Sequence, residues 1–89
     1  MPKIEIYSGD HCPYCVRAKG LLKQKGFAFT EYDVQAHPEL REEMALRAPG
    51  ARTIPQIFIN GRHVGGCDDL YALEKKGELN GWLRPAGSE

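Results

Sequence analysis

The dipeptide Asn60-Gly61 divides the run QIFINGRHVGG, residues 56–66, and leaves the local chain few choices. Both residues tolerate positive φ, so a two-residue turn there joins two antiparallel strands, Gln56–Ile59 and Arg62–Val64. Upstream, Lys3 to Tyr7 alternates Ile4 and Ile6 against Lys3 and Glu5, the pattern of a strand. Residues 13–25 place Cys15, Ala18 and Leu22 on one helical face with Leu21 beside them. Arg17, Lys19, Lys23 and Lys25 lie largely elsewhere, and Gly26 stops the helix. FAFTEYDV, residues 27–34, is aromatic and β-branched enough for a second strand. Because a helix separates it from the first, the two strands are expected to run parallel.

A second helix is expected to open at His37-Pro38, repeat Leu40, Met44 and Ala48 at four-residue intervals, and end near Pro49-Gly50. A third fits Asp68-Asp69 at its start and Lys76-Gly77 at its stop. Leu79, Trp82 and Leu83 suggest one further turn on the core. The expected order is βαβαββα, an α/β fold whose four-stranded mixed sheet is flanked by helices. At 89 residues the whole chain, 1–89, reads as one small domain, with residues 84–89 as a frayed tail. Twelve Lys and Arg balance twelve Asp and Glu, so the chain carries no net charge to recruit nucleic acid or an anionic membrane. No stretch approaches the roughly eighteen apolar residues of a membrane span, and a cytoplasmic location is expected.

Three cysteines, one close pair and one distant member, do not form the even, dense pattern of a disulfide-stapled secreted domain. The pair lies in HCPYC, residues 11–15, a spacing shared by staples, metal knuckles and redox couples. A zinc site needs about four ligands, usually as two close pairs. The remaining candidates, Cys67, His11, His37 and His63, are scattered. A structural disulfide across so short a loop has little entropic gain. Placement favours redox chemistry: Cys12 follows the first strand and opens the first helix, where unpaired N–H groups and the helix dipole stabilise a nucleophilic thiolate. Cys15, one turn on and facing the core, is expected to be the resolving partner.

Two further stretches extend this reading: TIP, Thr53 to Pro55, and GGCDD, Gly65 to Asp69. With CPYC, in this order and on this frame, they resemble the glutaredoxins, the small glutathione-dependent members of the thioredoxin superfamily. The resemblance covers residues 3–83 and implies a thioredoxin-like fold. It implies that Pro55 is cis and faces the cysteines, and that the Ile54 backbone pairs with the cysteinyl part of glutathione. It places the γ-glutamyl group at the start of the third helix. The implied glutathione contacts are Tyr14, Arg41, Thr53, Ile54, Pro55, Gly66, Cys67, Asp68 and Asp69. Gly9 stands where many relatives have a lysine, and Arg41 aligns with a position that often carries Arg or Gln.

The implied activity is reduction of protein–glutathione mixed disulfides and of protein disulfides by a monomer. Glutathione is the cosubstrate, and no cofactor or metal is bound. Two alternatives stand beside it: a thioredoxin-like reductase fed by thioredoxin reductase, and a carrier of a glutathione-ligated iron–sulfur cluster. Cys67 reads either as a small buried residue or as a second oxidisable thiol.

Overall fold

The computed structural model describes residues 2–83; the tail expected to fray lies outside the described residues. The elements are β1 (Ile4–Ser8), α1 (Pro13–Gln24), β2 (Thr30–Asp33), α2 (Pro38–Arg47), β3 (Gln56–Ile59), β4 (Arg62–Gly65), α3 (Cys67–Lys76) and the single turn α4 (Leu79–Trp82). The sheet order is β2-β1-β3-β4. β1 runs parallel to β2 and antiparallel to β3, and β3 pairs antiparallel with β4. The hairpin turns at Asn60 (φ 53°) and Gly61 (φ 82°), both in the left-handed region that a two-residue turn requires. The fold is the expected α/β arrangement with a four-stranded mixed sheet. Among the described residues no helix is long and apolar enough to cross a membrane.

Burial differs from the expected alternation along the first strand. Ile4 and Ile6 join Ile57 and Ile59 on one face of the sheet, where Ala18, Leu21 and Leu22 of α1, Leu70 of α3 and Leu79 of α4 cover them. The opposite face is covered too: Tyr7, Val34, Met44, Ala48 and Phe58 form a second cluster beneath α2. Glu5 points into this second layer at 4 % exposure rather than into solvent. The second strand is also shorter than the 27–34 expected. Phe27 N–H donates to the Leu22 carbonyl at the exit of α1, and the aromatic rings of Phe27 and Phe29 pack on the first cluster. Pairing with β1 starts only at Thr30.

A buried carboxylate survives only with partners. Arg47, at the last turn of α2, grips Glu5 with both arms, Nη2 to Oε1 at 2.9 Å and Nη1 to Oε2 at 3.1 Å, and also donates to the Tyr7 hydroxyl at 2.9 Å. Tyr32 adds a hydroxyl donor to Glu5 at 2.9 Å, and Tyr7 donates onward to Glu43 at 2.6 Å. The guanidinium lies 4.0 Å over the Phe58 ring. The Arg47 bond holds the Glu5 carboxyl below its usual range, against the opposing effect of burial. Burial, then the bond to Glu43, pushes the Tyr7 hydroxyl up to about 12.

Arg47→Met keeps the stem but leaves Glu5 buried without its strongest donor, which costs about 2 to 3 kcal/mol at neutral pH. A carboxyl whose folded pKa lies below its unfolded one adds stability above the unfolded value and loses it as pH falls through the folded one. The gap between parent and variant is therefore widest above about pH 5 and narrows below about pH 4. Urea titrations followed by Trp82 fluorescence at several pH values check both the size and the direction.

Candidate active site

Three segments converge at the carboxyl end of β1: residues 9–12 before α1, the 48–55 connection after α2, and the β4–α3 junction. Cys12 is the N-cap of α1, and Pro13 sits in the first turn, where its missing N–H costs nothing. The Cys12 sulfur does the capping: the Cys15 N–H donates to Sγ at 3.3 Å. On its other side the thiol donates to the Ile54 carbonyl, 3.8 Å away. Cys12 is partly exposed, whereas Cys15 and Cys67 are buried, and all three are free thiols.

The two sulfurs of the pair are chemically unequal. Cys15 is fully buried at 0 % exposure. Burial, followed by its hydrogen-bonded neighbour Cys12, pushes its thiol up to about 12, while Gly9 and Lys19 act weakly the other way. Lys19 is itself held by Glu31 at 2.7 Å. Cys67, 3 % exposed at the start of α3, is also pushed up by burial.

Beside the cysteines lies a groove of about 620 Å³. The Ile54–Pro55 peptide at its wall is cis. From there the groove reaches the amino end of α3, where Gly65 has φ +121° and an added Cβ would collide with the Asp69 carboxylate. Asp69 reaches back to accept from the Gly66 N–H at 2.9 Å, the return half of a helix cap. Gly66 lies so close to the opposite wall that a Cβ would stand 3.3 Å from the Pro55 carbonyl.

Tyr14, Thr53, Ile54, Pro55, Gly66, Cys67, Asp68 and Asp69, eight of the nine residues expected to contact glutathione, line this groove. Arg41 is not among its lining residues; it is exposed on α2. Position 9 holds a further surprise, since a Cβ there would stand 2.6 Å from Cδ of Gln35, whose side chain covers the glycine. Pro49, Ala51, Gln56 and His63 also line the groove and were not anticipated. The last two had a readable signal: a two-residue turn at Asn60-Gly61 pairs Phe58 with His63, which puts Gln56 and His63 diagonally on one face. Among the described residues no group of three or more His, Cys, Asp or Glu side chains is placed to hold a metal ion.

Residues 4–64 match the family model described as glutaredoxin, more than half of the chain. The chain belongs to the glutaredoxin family. Glutaredoxin 3 of Escherichia coli strain K12 is 50 % identical over 84 residues, covering 94 % of this chain and 100 % of that one. A solution structure of glutaredoxin from Brucella melitensis matches with a TM-score of 0.81 at 53 % identity, covering 98 % of this chain and 94 % of that one. A buckwheat glutaredoxin–glutathione complex matches with a TM-score of 0.83 at 30 % identity, covering 92 % of this chain and 76 % of that one. Membership in the glutaredoxins makes the protein a thiol–disulfide oxidoreductase.

The inequality of the thiols predicts a labelling pattern. Burial and the neighbouring Cys12 keep the Cys15 thiol protonated well above the ordinary cysteine range, and burial blocks the reagent as well. Reduced native protein treated briefly with iodoacetamide should carry one label, at Cys12, and denatured protein three. Peptide mapping checks this, and equal labelling of Cys15 would contradict the assignment.

Proposed function

We propose that this glutaredoxin reduces mixed disulfides between proteins and glutathione, together with some protein and small-molecule disulfides. Reduced glutathione is the electron donor and no bound cofactor takes part. The observation that carries this reading is the groove lined by Ile54, whose carbonyl meets the Cys12 sulfur, and by the amino end of α3. One wall offers main-chain groups to a peptide. The other end offers helix N–H groups to a carboxylate, beside the acidic Asp68 and Asp69 for an ammonium group. A γ-glutamyl tripeptide has these groups in this order. We take the protein to act as a monomer, and a glutathione-fed cycle belongs to a reducing compartment, here the cytoplasm.

In the first step the Cys12 thiolate attacks the glutathione sulfur of a protein–glutathione disulfide. The Cys12–glutathione bond forms, the protein–glutathione bond breaks, and the protein sulfur leaves as a thiolate that takes up a proton. A second glutathione thiolate then attacks the glutathionyl sulfur, releasing oxidised glutathione and restoring the Cys12 thiolate. With a protein disulfide, Cys12 forms a mixed disulfide with one protein sulfur and releases the other. Cys15 then attacks the Cys12 sulfur, giving its proton to the departing thiolate, and leaves a Cys12–Cys15 bond that two glutathiones reduce.

Two other readings make different predictions. A thioredoxin-like reductase draws electrons from thioredoxin reductase and has no use for the α3 end of the groove. A carrier of a glutathione-ligated cluster purifies brown under anaerobic conditions, and Pro13 argues against it because cluster-carrying relatives commonly differ there.

The roles separate by mutation. Cys12→Ser should reduce turnover of a glutathionylated peptide to background. Cys15→Ser should retain it while losing most reduction of protein disulfides that need the dithiol route. Both activities are measured on one preparation, with glutathione plus glutathione reductase compared against thioredoxin reductase; loss of both in Cys15→Ser would favour the thioredoxin-like cycle.

Gly9→Lys tests the missing cation. An exposed ion pair contributes about 0.2 to 1 kcal/mol, so KM for glutathione should fall by about two- to fivefold at most. The gain should be larger in Gly9→Lys combined with Gln35→Ala, because Gln35 no longer crowds position 9. Unchanged KM in both folded variants would show that the site already has its cation.

A further inference from the structure

Gln56 and His63 line the groove but have no part in the exchange steps. The Gln56 side-chain nitrogen donates to the Thr53 carbonyl at 3.0 Å, with the Thr53 hydroxyl at 3.4 Å. Its oxygen lies 2.6 Å from Nε2 of His63. A carbonyl only accepts, so the amide nitrogen must face Thr53 and the amide oxygen must face His63. That oxygen also only accepts, so His63 Nε2 carries a hydrogen. The neutral ring with its proton on Nε2 and the imidazolium both satisfy this. The His63 ring is steadied against Phe58, centroids 4.9 Å apart and planes tilted by 31°. Gln56 is only 6 % exposed, and an inverted amide would face its oxygen to the Thr53 carbonyl, oxygen against oxygen. The chain of bonds therefore has a single direction, from His63 through Gln56 to Thr53.

The end of that chain is next to the reacting sulfur. The Thr53–Ile54 peptide is trans, because the only cis bond among the described residues is Ile54–Pro55. In a planar trans peptide the C=O and N–H point in opposite directions. Holding the Thr53 carbonyl on Gln56 thus turns the Ile54 N–H the other way, and among the described residues that N–H donates to no protein group. The Ile54 carbonyl, on the following peptide, lies against the Cys12 sulfur.

We propose that His63 is a positioning residue: through Gln56 it fixes the Thr53–Ile54 peptide plane, so that the Ile54 main chain is preset to pair with the backbone of the glutathionyl group. This rests on the glutathione reading above and adds to it the residues that preset its main-chain edge. Losing the relay leaves both sulfurs in place and weakens docking.

The test uses the full chain, a glutathionylated peptide as substrate, and iodoacetamide as a reagent that meets Cys12 without using the Ile54 edge. In His63→Ala, KM for the peptide should rise about threefold to tenfold, the range of one lost hydrogen bond, with a smaller change in kcat. His63→Gln places an amide donor near the Nε2 position and should recover most of the loss. Gln56→Glu keeps an acceptor for His63 but turns an acceptor on Thr53, so its KM should rise at least as much as in His63→Ala. The Cys12 alkylation rate should stay within about twofold of the parent throughout. A parental KM in His63→Ala, no recovery in His63→Gln, or an alkylation rate that moves with KM would overturn the relay. If His63→Ala does not fold, a parental KM in Gln56→Glu overturns it alone. A parent inactive with glutathione overturns the functional reading and the relay with it, whereas an active parent with indifferent variants overturns only the relay.

Discussion

Both faces of β1 are buried, and much of the architecture follows from that constraint. One face carries isoleucines, which α1 and α3 cover as an apolar layer. The other carries Glu5 and Tyr7, which an apolar cover alone would leave without partners. Arg47 answers this by bonding both, and because it stands in the last turn of α2, it fixes the end of that helix on the sheet. The connection that starts there runs to Thr53, Ile54 and Pro55. The Glu5–Arg47 ion pair, its carboxylate buried and its guanidinium partly so, is thus the anchor from which one wall of the groove is hung. The pairs Lys19–Glu31 and Lys25–Glu74 have no comparable consequence, since neither of their carboxylates is buried as Glu5 is.

Much of this was legible in the sequence because the deciding signals are local. A strand, a helix and a strand in succession imply a parallel pair, and Asn60-Gly61 implies a hairpin; together they define the mixed sheet. What was not legible depends on contacts distant along the chain. Glu5 reads as the outward residue of an alternating strand until α2, about forty residues on, is known to cover that face. Phe27 and Phe29 have the composition of a strand, but the backbone at Phe27 is committed to the end of α1. In the site, the three motifs brought together eight of the nine expected residues, because each motif is set by its own turn or helix start. Arg41 was placed by alignment across the α2 loop, not by any local rule, and the structure leaves it out of the groove. Gln56 and His63 belong to no motif; only the strand register of the hairpin brings them together.

The unequal thiols follow from helix geometry. Three residues advance an α-helix by about 300°, so the side chains at either end of CxxC are near neighbours in space while one is still a cap and the other already faces the core. The first sulfur therefore stays partly exposed and receives the N–H of the second residue; the second is fully buried and desolvated. This ordering has a chemical consequence. In the proposed cycle an exposed thiol meets the incoming disulfide and a buried one does not, which gives the encounter to Cys12. Cys15 then acts only once a mixed disulfide on Cys12 has brought an electrophilic sulfur within its reach, and its proton has a destination in the thiolate that leaves. The same inequality sets the competition in the proposed cycle: a glutathione seated in the groove and the buried Cys15 both compete for the one sulfur atom of Cys12. The outcome turns on how firmly the Ile54 edge and the α3 end hold the glutathionyl group, not on any property of Cys15 that the substrate can alter.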